Sequence, residues 1–184
     1  MTTKIAFKSN SADKKPGKGV HECISDPDPV VYKPLESIKD FRKYLSNFDD
    51  SVTFVWQGPF DKPYTFRSIE HAFQAAKIYI ASPSAALKFT VESGDVIGLG
   101  DGALAQKKRK LVKLTPEQLT VWSSISNETM KLIVIAKYTQ NPDSIASTVL
   151  KNTKDAELWH IMTQRGKPSE LVRFEHLEHI RATL

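Results

Sequence analysis

The sequence has one cysteine, Cys23, among its 184 residues. A single thiol excludes an internal disulfide framework and any cysteine-rich zinc site. Glycine is sparse, at 8 residues, and proline ordinary, at 10, so the chain is neither collagenous nor of low complexity. No apolar run approaches the ~18 residues that a membrane helix needs. The longest, Leu132 to Ala136, suits a stretch of helix. The opening Met1-Thr-Thr-Lys4 lacks the apolar stretch of a secretory signal, which points to a cytoplasmic or nuclear protein. Neither charge sign dominates: 26 Lys and Arg against 21 Asp and Glu give a net +5. That balance suits a polyanionic ligand, a nucleotide or a nucleic acid, without demanding one. What is present is a 40% apolar content. It is enough for a core and excludes disorder throughout, at a length that fits one domain of ~100–150 residues plus a tail.

The first thirty residues differ from the rest. Lys4 to Lys8 reads as a short strand, Ser9 to Gly19 is polar, basic and rich in turn formers, and Asp26-Pro27-Asp28-Pro29 is a breaker cluster. Composition alone makes this a loose arm. From Pro34 onward the pattern is mostly helical. Leu35, Ile38, Phe41 and Leu45 recur at helical spacing and predict a helix ending near Tyr44. Val52 to Trp56 reads as a strand, with Tyr64 to Phe66 as its hairpin partner. Ser68 can cap a helix to about Ala81, and Pro83 opens another that stops near Gly94. Gly94 to Gly102 reads as a glycine-rich loop, and Lys107-Lys-Arg-Lys110 as a solvated turn. Thr115-Pro-Glu-Gln118 is a strong helix start, the helix running to about Tyr138. Asn141-Pro142 begins a helix to about Leu150, Leu158 to Met162 is a short strand, and a last helix spans Ser169 to Thr183. The class expected is α+β: one mostly α-helical domain with a few short strands. It covers residues 31–184, preceded by a basic extension over residues 1–30.

The most informative segment is Ser68-Ile-Glu-His-Ala-Phe-Gln-Ala-Ala-Lys77. On a helix, Glu70, Gln74 and Lys77 form one polar stripe beside an apolar stripe of Ile69, Phe73 and Ala76. Most such stripes face water. Glu70 within the first turn, near the positive helix end, and His71 and Gln74 beside it, suggest directional hydrogen bonding instead. Pro16-Gly-Lys-Gly19 can present backbone amides and an ammonium to a phosphate, although it is not a P-loop. Gly98, Gly100 and Gly102 lack the strand and acidic partner of a dinucleotide fingerprint. His71, His160, His176 and His179 form no metal-ligand pattern, and no nucleophile elbow occurs. Neither a metal nor a cofactor is expected.

Leu45-Ser-Asn-Phe48, the Ser68–Lys77 segment, Trp122 and Ala136-Lys-Tyr138 together resemble the NADAR family, named for NAD and ADP-ribose, which includes the YbiA-like N-glycosidases. The resemblance covers roughly residues 31–184. The stretch from Ser9 to Glu22 is similar to an extension of some eukaryotic and viral members. A family Asp-x-x-Trp-Gly motif is not matched. Asp155 lies four residues before Trp159, and His160 stands in place of the glycine, so the role of that Asp is not carried over.

The resemblance implies cleavage of an N-glycosidic bond to ribose. The substrate in one branch is ADP-ribose attached to guanine in nucleic acid, and in another a ribosylamino-pyrimidine phosphate of riboflavin biosynthesis. A non-catalytic ADP-ribose-binding module is the third possibility. It further implies Glu70 and Lys77 as the catalytic pair: Glu70 beside the anomeric carbon, Lys77 protonating the leaving nitrogen, holding a phosphate or attacking as an amine. Lys18, Gly19, Glu22, Ser46, Asn47, Phe48, His71, Gln74 and Trp122 are the implied ligand contacts. In that scheme the N-terminal extension folds onto the ligand site.

Overall fold

The computed structural model describes residues 2–25, 29–163 and 169–184. The core of the breaker cluster, Asp26-Pro-Asp28, and the stretch Gln164-Arg-Gly166 lie outside the described residues. In chain order the elements are β1 (Lys4–Phe7), α1 (Lys33–Glu36), a 3-10 turn (Phe41–Leu45), β2 (Phe54–Trp56), β3 (Tyr64–Phe66) and α2 (Ile69–Tyr79). Then come α3 (Pro83–Leu87), α4 (Val96–Leu99), α5 (Gly102–Lys107), α6 (Pro116–Gln140), α7 (Ile145–Asn152), β4 (Glu157–Met162), β5 (Glu170–Arg173) and α8 (Glu175–Arg181). The class is α+β, mostly helical with a few short strands. Among the described residues no helix is long and apolar enough to cross a membrane.

The chain divides into two compact units, Met1–Ser46 with Pro142–Leu184, and Asn47–Asn141. The first is built on a three-stranded sheet in the order β1-β4-β5. β1 pairs parallel to β4, setting Ile5 against Leu158 and Phe7 against His160, and β5 returns antiparallel. Ile5, Ala6, Phe7 and Leu158 are buried in this sheet, and Val149, Leu150, Leu177 and Ile180 supply helical core residues. The N-terminal segment is therefore no loose arm. Its polarity is internally answered: the Glu22 carboxylate accepts from Arg42 Nε at 2.7 Å and Nη2 at 2.6 Å. It also accepts from the amides of Ala6, Gly17 and Gly19 at 3.2, 3.0 and 2.9 Å. A basic, turn-rich stretch folds here because one buried acid gathers three orphan amides and a guanidinium.

The second unit packs α2, the β2–β3 hairpin and α6. Ser68 caps α2 as expected, its Oγ accepting the His71 amide. Thr115 and Gln118 close the expected capping box on α6. Five expectations need correction. The helix opened by Pro83 stops at Leu87, not near Gly94, and a separate 3-10 turn follows at Val91–Ser93. The helix expected from Leu35 to Tyr44 is broken by Asp40, whose φ of +55° is left-handed, and only α1 and a 3-10 turn form. The expected glycine loop, Gly94 to Gly102, holds one short helix, α4, and the start of another, α5; Asp95 caps the first at 2.9 Å to the Ile97 amide and Asp101 the second at 2.7 Å to that of Leu104. α7 starts behind Ser144 rather than at Asn141-Pro142. The last expected helix is a strand followed by a shorter helix, since Leu171 and Val172 pair with β4.

Candidate functional site

Within the second unit, the polar stripe of α2 is turned inward. Glu70 and Gln74 are each 6% exposed, which removes the water-facing alternative for both; Lys77 is half-buried. The first turn of a helix leaves its amides without intrahelical partners. The Glu70 amide solves this by donating to the Asn47 carbonyl at 2.9 Å. That one bond ties the Asn47 loop to the start of α2. The Glu70 carboxylate accepts from Gln74 Nε2 at 2.8 Å through Oε1. Its other oxygen has no hydrogen-bond partner among the described residues. Burial pushes the Glu70 carboxyl above its ordinary value, against the Gln74 hydrogen bond and the charges of Arg109 and Lys77, which pull it down.

Two more acceptors are left over here. Among the described residues, Asn47 Oδ1 and Gln74 Oε1 are buried with no hydrogen-bond partner. The Asn47 amide nitrogen donates to the weak acceptor Met130 Sδ, at 3.8 Å. Gln74 is oriented by the carboxylate, which takes its NH2 end and so leaves its oxygen unpaired. An unpaired buried acceptor costs about 1–3 kcal/mol. Two of them lie on residues joined through Glu70, so unmet acceptor capacity is concentrated at this one place.

The Asn47 loop is fixed from below. Lys137 of α6 donates from Nζ to Asp49 Oδ2 at 2.6 Å and to the Asp49 carbonyl at 2.8 Å. Both side chains are buried, at 1% and 5% exposure. Ser51 completes the carboxylate, with Oγ to Oδ2 at 3.0 Å and N to Oδ1 at 3.2 Å. Lys137 was legible as the one cation in the apolar run Leu132 to Tyr138; Asp49 carried no signal. The charge of Arg109, which pulls the Glu70 carboxyl down, also lay in a basic run that reads as solvated.

No protein-family model, no curated protein and no solved structure matches this chain.

The other expected residues fall in different places. His71 is fully buried, with Nδ1 2.7 Å from Ser68 Oγ and Nε2 3.0 Å from the Ile97 carbonyl. A carbonyl only accepts, so Nε2 carries the proton, and Nδ1 accepts from the serine hydroxyl. Burial holds the ring below its ordinary value and neutral. Both ring nitrogens are engaged within the protein, so the residue ties α4 to α2. Trp122 is 9% exposed and meets Phe73 edge-on with ring centroids 4.8 Å apart, a packing role. Phe48 is half-buried, and a Cβ on Gly102 would sit 2.5 Å from its Cα, so that glycine serves close packing with the Asn47 loop. Ser46, Lys18, Gly19 and Glu22 belong to the first unit. There Lys18 is exposed, and the Gly19 amide and Glu22 are occupied with each other. The phosphate cradle expected at Gly17 and Gly19 is already filled by that carboxylate. Asp155 accepts from the Tyr32 hydroxyl at 2.9 Å.

Proposed function

We propose that this protein is an N-glycosidic bond hydrolase that removes ADP-ribose from guanine bases of nucleic acid. The reading takes its substrate from the resemblance to the NADAR family. The observation that carries it is the buried Glu70 carboxylate, one oxygen held by Gln74 and the other unpaired, beside two orphaned acceptors. Sugar hydroxyls satisfy the Asn47 and Gln74 oxygens, and this places the anomeric carbon against Glu70. As the bond between that carbon and the base nitrogen lengthens, positive charge grows on the sugar. A carboxylate in a water-poor site stabilises it far better than one in bulk water. Glu70 takes a proton from the attacking water, whose oxygen bonds to the carbon, while the bonding pair leaves with the base nitrogen. The raised carboxyl suits this role, since a base works best when its pKa approaches the working pH. Lys77, two turns along the same face, supplies the proton that the departing nitrogen needs.

The test offers the protein two substrates, a guanine-ADP-ribosylated oligonucleotide and a ribosylamino-pyrimidine phosphate, and reads products by mass. Release of ADP-ribose with recovery of unmodified guanine supports the reading. Turnover of the pyrimidine alone moves the activity to small metabolites. Binding of ADP-ribose without turnover of either makes the protein a binding module.

A further inference from the structure

One feature of the second unit lies outside the acceptor cluster. Lys107-Lys-Arg-Lys-Leu-Val-Lys113 places five cations in seven residues with no acid between them. All five are exposed, and among the described residues none is in an ion pair. Several other cations of the same unit are paired: Arg67 with Asp50, Lys88 with Asp95, Lys131 with Glu128 and Lys137 with Asp49. Repulsion among five unneutralised charges is relieved by a polyanion.

The position of the segment gives it a use. It leaves the end of α5, which packs against α2, the helix of Glu70. The first residue of α5, Gly102, lies against Phe48 in the Asn47 loop. α5 thus starts on the loop that holds one orphaned acceptor and ends in the basic run. The Arg109 charge reaches Glu70.

We propose that Lys107 to Lys113 is a phosphodiester-binding rim of the Glu70 site, its lysines neutralising backbone phosphates of the nucleic acid strand whose base is released. The proposal rests on Glu70 being the reaction centre. The same cations could instead meet the pyrophosphate of the ADP-ribosyl group, and the experiment separates the two.

Lys107, Lys108, Lys110 and Lys113 are changed together to Gln in the full chain, leaving Arg109 in place. A fluorescent single-stranded oligonucleotide without ADP-ribose is titrated by anisotropy across a salt series, and free ADP-ribose by calorimetry. Each lost phosphate contact lowers the slope of log K against log salt by about 0.7, so the fourfold variant loses about 2–3 in slope and at least about tenfold in affinity at low salt. ADP-ribose affinity stays at the parent value. Equal slopes, or no oligonucleotide binding by the parent, overturn the proposal. A parallel fall in ADP-ribose affinity also overturns it and assigns the cations to the pyrophosphate. Binding is read without turnover, so a failure of the hydrolase reading shows in the product assay and leaves this result standing. Thermal melts check that the variant is folded.

Discussion

Removing the negative partner of Lys137 tests the support of the Asn47 loop. In Asp49→Asn the ammonium keeps the Asp49 main-chain carbonyl and gains a neutral amide oxygen, but loses the carboxylate paired with it at 2.6 Å. At 1% exposure water cannot replace that charge. Breaking a buried pair from one side costs about 3–5 kcal/mol. With a urea dependence of about 2 kcal/mol per molar, the midpoint falls by about 1.5–2.5 M at pH 7. The loss depends on pH. Burial already holds Lys137 below the ordinary lysine value while Asp49 pulls it up, so removing Asp49 lowers it further. A lysine depressed in the folded state destabilises when protonated, and the deficit of the variant shrinks as pH rises towards the ordinary lysine value near ~10.4. Lys137→Met in the same background deletes the stranded charge and recovers part of the stability. Urea melts at neutral and alkaline pH measure all of this. A midpoint shift under about 0.5 M, equal at both pH values, would refute the claim that this pair fixes the loop.

Glu70 itself costs stability when ionised. A carboxyl raised by burial favours folding below its unfolded value and loses that contribution as pH climbs through the folded one. Glu70→Gln therefore melts above the parent at neutral pH and level with it below about pH 4, by calorimetry; a lower melting temperature at neutral pH contradicts this. Lys77→Met removes a charge that holds the Glu70 carboxyl down, so the acid limb of the kcat/KM profile moves to higher pH, while Lys77→Arg leaves it in place. An unmoved limb in Lys77→Met removes that electrostatic link. Glu22→Gln strands Arg42, which cannot lose its proton as a lysine can. With the two side chains 0% and 2% exposed, the variant loses about 3–5 kcal/mol and residues 15–22 become sensitive to limited proteolysis. Proteolysis at the parent rate would show that the loop is held by other contacts.

Structure set by near neighbours is legible in this sequence, and structure set by distant partners is not. The Ser68 cap, the Thr115–Gln118 box and the Phe54–Phe66 hairpin are set by neighbours a few residues apart, so sequence shows them. The break at Asp40 depends on a left-handed residue with no glycine to announce it. Asp95 and Asp101 did announce two helices as N-caps, but the glycines beside them suggested a loop. β5 was misread as helix because its partner strand, not its own pattern, makes it extended. Glu70, Gln74 and Lys77 were legible as one face of a helix. That the face turns inward was not, since burial depends on the Asn47 loop 23 residues earlier. The Glu22–Arg42 and Asp49–Lys137 pairs span 20 and 88 residues, separations at which a charge gives no sign of its partner.

The proposed hydrolysis gives the cleavage to the Glu70 carboxylate. Its most direct test compares the parent with Glu70→Gln on one guanine-ADP-ribosylated oligonucleotide, measuring released ADP-ribose in single turnover and ADP-ribose affinity by calorimetry. Glutamine keeps the shape and the contact with Gln74 but not the charge. Affinity stays near that of the parent, and turnover falls by at least about 100-fold, the scale of losing one preorganised transition-state contact. Turnover within a few-fold of the parent, with the variant folded and binding normally, contradicts the account and removes Glu70 from the chemistry.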